Sequence, residues 1–285
     1  MTKLKRNLML CWFGDSMLPE FEKGFSIVIP SWNNEPFLRK CIEYLRKYSE
    51  YDHQIIVHLN EGTRCQMTKK YLAEQKVFTT ESKINFGVCA AVNKASELAN
   101  RDLIMYFNDD MLALPGWDLE LAKLASAYDF KEKIWLSSTM IEPFGNRPEM
   151  LAPYNFGTTL DDFCELTLLK NVEKLKFLNP DIGGTTWPPT LLYKNVFDKI
   201  GGFSEEYFPG FGSDPDLAKK CWDYGIRDFV GVGRSLVYHF QCITTRRVSH
   251  KNNGHQIFKQ QHGMSMDHFV NNILRRGHEW THPEG

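Results

Sequence analysis

No apolar run in this chain approaches the ~20 residues that a helix needs to cross a bilayer, so nothing in it reads as a membrane span. Neither sign of charge dominates. The 34 Lys and Arg residues stand against 35 Asp and Glu, a formal net charge of −1, so no global field recruits nucleic acid or an anionic membrane. No CxxC pair occurs among Cys11, Cys41, Cys65, Cys89, Cys164, Cys221 and Cys242. The odd number argues against a disulfide framework and for reduced thiols in a cytosolic protein. Internal repeats and low-complexity linkers are missing too. What is left, at 285 residues, 42% hydrophobic and 24% charged, is an ordinary globular chain long enough for one large domain or two small ones.

The start, Met1 to Phe13, is basic and then briefly apolar, but Asp15 interrupts it and no small-residue cleavage site follows, so it reads as a mature extension over 1–24. Strands and helices then alternate. Phe25 to Pro30 is a strand, and Asn34 reads as the N-cap of a helix carrying Phe37, Leu38, Cys41, Ile42 and Leu45 at helical spacing. Gln54 to Leu59 is a second strand, Tyr71 to Ala73 a helix, and Val77 to Thr80 a short strand. Gly87 introduces a helix with Val88, Ala91, Val92, Ala95 and Leu98 on one face. This alternation predicts a parallel, doubly wound sheet. Beyond a helix from Trp117 and a strand from Ile134 to Met140, residues 142–185 read as irregular. A strand at Leu191 to Tyr193 and a helix opened by Asp214 follow. Two short strands near Asp228 and Leu236 and a terminal helix from Met264 to Leu274 complete the expectation.

Leu103 to Phe107 is an apolar run that ends abruptly in Asn108-Asp109-Asp110. Carboxylates at the end of a buried strand are costly unless they hold a cation or a ligand, and ligands bind at the carboxyl ends of strands in open α/β sheets. The triplet is a candidate site for Mg²⁺ or Mn²⁺ bridging phosphates, with a polar turn as the alternative.

Four stretches occur in one order: Ile27 to Asn34; Asn85-Phe86-Gly87-Val88 through Asn93; Asn108-Asp109-Asp110; and Gly201-Gly202-Phe203 through Phe211-Gly212-Ser213-Asp214-Pro215-Asp216-Leu217. Together they span residues 25 to 240, and as an ordered set they resemble an inverting family-2 glycosyltransferase of the GT-A fold. The resemblance implies a Rossmann-like, nucleotide-binding first half and an acceptor-binding second half. The catalytic domain would run over 25–245, with a C-terminal loop and helix at 246–285 packed on it. It further implies transfer of a sugar from a nucleotide-diphosphate donor to an acceptor hydroxyl. The implied location is cytoplasmic, with peripheral contact at the inner face of a membrane left open.

By the same resemblance, Asp110 and His239 ligate Mn²⁺ or Mg²⁺, a mixed carboxylate–imidazole pair that favours Mn²⁺. Pro30, Ser31, Trp32, Asn33, Asn60, Asn85, Gly87, Asn93, Asn108 and Asp109 line the nucleotide. Asn60 stands where relatives commonly carry Asp. Asp214 matches the general base, although Ser213 replaces the usual Glu and Asp214-Pro215 also reads as a helix cap. Asp216 would raise the pKa of that base by repulsion. Gly184, Trp187 and Asp216 fall near the acceptor or donor sugar, with Trp187 equally readable as core. Arg246, Arg247, His250, Lys251 and Lys259 form a basic stretch, either a solvated face or a loop over the diphosphate.

Two rival functions remain open. Ser213 and Asn60 depart from the family pattern, as a non-catalytic nucleotide-sugar-binding module would. His278-Glu279-Trp280-Thr281-His282 matches the HExxH pattern of zinc peptidases, but Gly277 and Pro283 flank it, and its helix is not expected. The tail beyond His278 is therefore expected to be dispensable for sugar transfer.

Overall fold

The computed structural model describes residues 24–62, 65–127, 132–145, 154–241 and 252–281. The extension before residue 24, the basic residues Arg246 to Lys251 and His282 lie outside the described residues.

The buried strand β1 (Ser26–Ser31) pairs in parallel with β2 (Gln54–Leu59) on one side and β4 (Leu103–Tyr106) on the other, and β2 pairs in parallel with β3 (Phe78–Glu81). Side chains alternate across β1. Ile27 and Ile29 join the core on one face and Val28 the core on the other, as a strand buried on both sides requires. The helices α1 (Glu35–Tyr48), α2 (Gln66–Glu74) and α3 (Gly87–Ser96) connect these strands. Because the four strands run the same way, the loops after Ser31, Leu59, Glu81 and Tyr106 all emerge at one edge of the sheet.

The second half completes the sheet in mixed orientation. After β5 (Met111–Ala113) and α4 (Trp117–Ala127), β6 (Ile134–Ile141) runs antiparallel to β8 (Thr190–Tyr193), which itself pairs antiparallel with β4. The order across the sheet is β3-β2-β1-β4-β8-β6-β9-β5, with β7 (Ile182–Gly183) joined to β9 (Asp228–His239). This is the expected mostly parallel, doubly wound α/β architecture of the GT-A type. Helices α6 (Lys194–Lys199), α7 (Ser213–Tyr224) and α8 (Gly254–His262) follow in the chain.

Three expectations are corrected. Residues 142–185 are not irregular throughout: α5 (Glu165–Leu178) buries Leu168, Val172 and Leu175 against Leu112, Ile141 and Tyr238. The two short strands near Asp228 and Leu236 are one strand, β9, whose pairing with β6 shifts register between Ser138 and Thr139. Gly233, Arg234 and Ser235 fall in that shift, a bulge that breaks the apolar pattern while the strand continues. The terminal helix expected over Met264 to Leu274 is a π-helical turn at His268–Ile273, and a separate helix not expected there, α8, precedes it and ends in Gly263 in the left-handed region at φ 68°.

The tail is not loose. Gly183 N–H donates to His278 O at 2.8 Å, Gly277 N–H to Gly183 O at 2.9 Å, and Trp280 N–H to Asp181 O at 3.2 Å. Residues 278–280 thus lie along β7 in extended pairing rather than in a helix, with Ile182 bridged to Glu279. An HExxH zinc site needs its two histidines one helical turn apart on one face, so the peptidase reading fails on backbone conformation. The expectation that the tail is dispensable is weakened by the same bonds.

One buried carboxylate ties the first half to the second. Asp118, fully buried at the start of α4, accepts from Glu50 N–H (2.7 Å) and Tyr51 N–H (3.0 Å), and its Oδ2 lies 3.0 Å from His53 Nε2. Asp118→Ala strands these donors in a dry environment. It is expected to cost about 3 kcal/mol of stability in urea unfolding, a fall in Tm of roughly 6–12 °C. A cost below about 1 kcal/mol would show that the segment entering β2 is held by packing alone.

Candidate active site

Strand register builds the centre of the site. β9 lies between β5 and β6, with Met111 opposite His239 on one side and Ile141 opposite Tyr238 on the other. Asp110, immediately before Met111, and Glu142, immediately after Ile141, are thereby brought to either side of the His239 ring. His239 Nε2 lies 3.3 Å from Asp110 Oδ1, and Nδ1 lies 2.6 Å from Glu142 Oε1. Burial alone would lower the imidazole's pKa, but the two carboxylates outweigh it and hold the ring up at about 10. Glu142 is fully buried. Sequence reasoning missed it, although an acid ending an apolar strand is the same signal that marked Asp109 and Asp110.

Asp109 faces the other way. Its Oδ2 accepts from Ser31 Oγ at 2.7 Å and its Oδ1 from Asn34 Nδ2 at 2.9 Å, all three residues being buried. Asn34 occupies the N-cap position of α1, but its side chain makes no cap bond and instead fixes the loop after β1 to the loop after β4. Asn108 stands beside this pair, its backbone O closing a tight turn with Met111 N–H at 3.3 Å.

Several residues expected on the nucleotide are occupied in holding loops. Asn60 is buried; its Oδ1 accepts from Phe86 N–H (3.1 Å) and Ser82 Oγ (3.2 Å), and its Nδ2 donates to Gly87 O (3.4 Å). Asn85 Oδ1 accepts from Gly87 N–H at 2.8 Å, and Val88 N–H donates to Pro209 O at 3.1 Å, so the first N–H groups of α3 are satisfied internally. Gly87 has φ +83°, and a Cβ there would stand 2.8 Å from the Phe208 ring, so both its backbone angle and its neighbours require glycine. Asn93 brackets the backbone of Phe203, accepting its N–H and donating to its O, each at 2.9 Å. These amides shape the pocket's walls. The direct nucleotide contact expected of Asn60 and Asn93 conflicts with those bonds.

At the mouth, Pro30 is the penultimate residue of β1 and the buried Ser31 ends it, while Trp32 Nε1 donates to Glu61 Oε2 at 2.9 Å. Asn33, at φ 50°, lies within 3.5 Å of the same carboxylate oxygen. Glu61 was not singled out in the sequence.

Asp214 is the second residue of α7, not its N-cap; Gly212, at φ +91°, holds that position. The cap alternative is therefore removed. Asp214 is partly exposed by surface area, and burial of the carboxyl group pushes its pKa up to about 7, against the opposing field of Arg276. The expected repulsion from Asp216 is not the cause. Asp216 is 1% exposed and turned away, accepting from Ser204 Oγ at 2.6 Å, with His262 Nε2 2.7 Å from its other oxygen. It clasps α8 to α7, so a sugar contact is corrected. Trp187 is 5% exposed, donates from Nε1 to Ser138 O at 3.2 Å and packs in the core. Of its two open readings, the core one holds. Gly184 adjoins the tail: a Cβ there would lie 2.6 Å from Arg276 backbone atoms. Lys259 is exposed on α8, consistent with a solvated face.

Asp110 Oδ1 and His239 Nε2 face each other at 3.3 Å, with Glu142 on the ring's Nδ1. This donor set fits a borderline divalent cation that keeps further positions for phosphate oxygens and water. Among the described residues, no group of three or more His, Cys, Asp or Glu side chains is placed so that it could hold a metal ion.

Comparison with known proteins places the fold. The solved structures of similar fold include the mannosyltransferase PcManGT from Pyrobaculum calidifontis in complex with GDP-Man and Mn²⁺. It has a TM-score of 0.53 and 15% identity, covering 97% of this chain and 72% of that one. GalNAc-T7 with UDP, GalNAc and Mn²⁺ gives a TM-score of 0.57 at 14% identity, over 77% of this chain and 44% of that one. S. aureus TarS 1–349 gives 0.51 at 16% identity, over 76% and 60%. The chain thus matches less than two thirds of the length of GalNAc-T7 and of TarS 1–349. No curated protein matches significantly. The sequence profile of Glycosyl transferase family 2 matches residues 26–201, more than half of the chain. The chain belongs to glycosyl transferase family 2.

Proposed function

We propose that this chain moves a sugar from a nucleotide-diphosphate sugar to an acceptor hydroxyl with inversion, using a divalent cation held by Asp110 and His239 and Asp214 as general base. The observation that carries the proposal is the division of labour between carboxylates at one sheet edge. Asp110 is set against an imidazole, while Asp214 has no hydrogen bond to its carboxylate among the described residues and a pKa near 7. A carboxyl poised near neutrality, distinct from one set against an imidazole, supplies the separate role that a general base needs. Burial first, and then the charges of Asp214, Cys89, Asp110 and Asp109, push the Tyr106 hydroxyl's pKa up, which supports a common neighbourhood for the three acids. Similar folds bound to nucleotide sugars or nucleotides and Mn²⁺ support the same reading.

In this mechanism Asp109, with Ser31 and Asn34, keeps the loops after β1 and β4 in register so that Asp110 faces the donor. Glu142 fixes the tautomer and orientation of His239. A cation held there would neutralise charge developing on the departing diphosphate. Asp214 takes the acceptor's proton as its oxygen attacks from the face opposite the leaving group, the geometry that inverts the anomeric centre. No helix among the described residues is long and apolar enough to cross a membrane. Cys41, Cys65, Cys89, Cys164 and Cys221 are free thiols, which suits the proposed reducing, cytoplasmic setting. The proposal retains a catalytic unit over 25–245 and a C-terminal segment packed on it.

Asp110→Ala is expected to reduce Mn²⁺-dependent binding of UDP or GDP by about 100-fold or more, roughly 2.7 kcal/mol, in calorimetry. His239→Ala should reduce it less. Unchanged affinity in Asp110→Ala would remove the metal assignment. Asp214→Asn should cut turnover by about 10²–10⁴ while leaving donor affinity intact. Because the base must be ionised, wild-type turnover should fall as pH drops through about 7, approaching tenfold per unit below it. A wild-type rate in the folded Asn variant would mean that another group takes the proton.

A further inference from the structure

We propose that a cleft at the C-terminal end of α7, completed by the tail, is a second carbohydrate site that holds one sugar ring of a glycan away from the reacting centre. It uses none of the residues assigned above to metal or base.

The cleft has a volume of about 190 Å³ and lies between α7, the start of β9, the end of the π-helical turn and the tail. That is the space of roughly six waters, room for a monosaccharide ring and too little for a nucleotide. Trp222, near the end of α7, stands roughly 12 Å along the helix from Asp214. Asp228 opens β9, whose far end carries His239. The tail completes the walls. Its pairing with Gly183 brings in His278 and Trp280, and the imidazole lies against Gly183, where a Cβ would overlap the ring.

Trp222 and Trp280, both half-buried, supply indole surface of the kind that the C–H face of a pyranose covers. The polar groups beside them have roles fixed by their neighbours. Arg227 is stacked on the Trp222 ring, 4.1 Å from its centroid, and donates from Nη1 to Trp222 O (2.6 Å) and Ile226 O (2.8 Å). The guanidinium is thereby held in place, with the donors of Nε and Nη2 remaining. His278 Nδ1 lies 2.6 Å from Arg275 O; a carbonyl only accepts, so Nδ1 carries the proton and Nε2 of the neutral ring is an acceptor. Asp228 Oδ1 accepts from Trp280 Nε1 at 3.4 Å, which leaves Oδ2 as a second acceptor. Arg275, exposed, adds another guanidinium. Acceptors and planar donors beside indole faces match vicinal hydroxyls, each of which both donates and accepts. The Asp228 carboxylate makes the cleft a poorer fit for phosphate, whose ionised oxygens repel it.

The test reads the cleft directly. Full-length protein with ¹⁵N-labelled indoles is titrated by NMR with methyl glycosides of glucose, galactose, mannose and N-acetylglucosamine at millimolar concentration. Trp222→Phe and Trp280→Phe identify the two signals. At least one glycoside should shift both signals saturably, and the shift should persist in Asp110→Ala and Asp214→Asn. Arg275→Ala, at an exposed position, should weaken that affinity about tenfold or more, as loss of a charged hydrogen-bond donor does. If Arg275→Ala does not fold, Asp228→Asn, which keeps an acceptor for Trp280, should weaken it in the same direction by less. The proposal is overturned if no glycoside moves these signals, if inorganic phosphate moves them and the glycosides do not, or if the folded variants bind as wild type. Failure of the metal or base reading is separate, since it appears in nucleotide binding and in sugar transfer.

Discussion

Removing an ionised carboxylate from water costs several kcal/mol unless something replaces its hydration. This chain brings Asp109, Asp110 and Glu142 to one edge of a buried sheet and sets Asp214 in the first turn of α7. The architecture follows from how each cost is met. Asp109 is met by Ser31 and Asn34, which locks two loops together. Asp110 and Glu142 flank a shared imidazole. Asp214 has only a partial offset, from Arg276, and its carboxyl is accordingly poised near neutrality. The residue left least compensated is the one suited to exchange a proton with a substrate.

The amide side chains act in the opposite sense. Asn60 and Asn93 satisfy backbone groups of loops that would otherwise hang unpaired at the sheet edge, and Asn85 does so for the start of α3. The pocket is shaped by these bonds before any ligand arrives, an arrangement that limits reorganisation during the reaction. The C-terminal segment extends the same logic, crossing behind β7 and joining the walls through Gly183 and Gly184.

Much of this was legible in the sequence. Long apolar strands ended by polar residues, and helices with one apolar face, gave the parallel half of the sheet and placed Asn108 to Asp110 at its edge. β9 was misread because a bulge at Gly233 to Ser235 interrupts the apolar pattern without ending the strand. Leu168, Val172 and Leu175 carried a helical period that was overlooked in a segment flanked by Pro, Gly and Asn. The site was less legible than the fold. Residue type showed which groups could bind or catalyse, but not which were already engaged: Asn93, Asp216 and Asn60 are common binding residues, and here their side chains bond other parts of the chain. Glu142 lies far in sequence from His239, so only the register of β9 reveals it.

The central claim is that His239, oriented by Glu142 and paired with Asp110, faces a divalent cation bridging to the donor's diphosphate. Pulsed EPR of Mn²⁺ with the full-length protein and a nucleoside diphosphate tests it directly. The account predicts a single imidazole ¹⁴N coupling that disappears in His239→Ala. A bound Mn²⁺ without nitrogen coupling, or with one that survives that substitution, would contradict it.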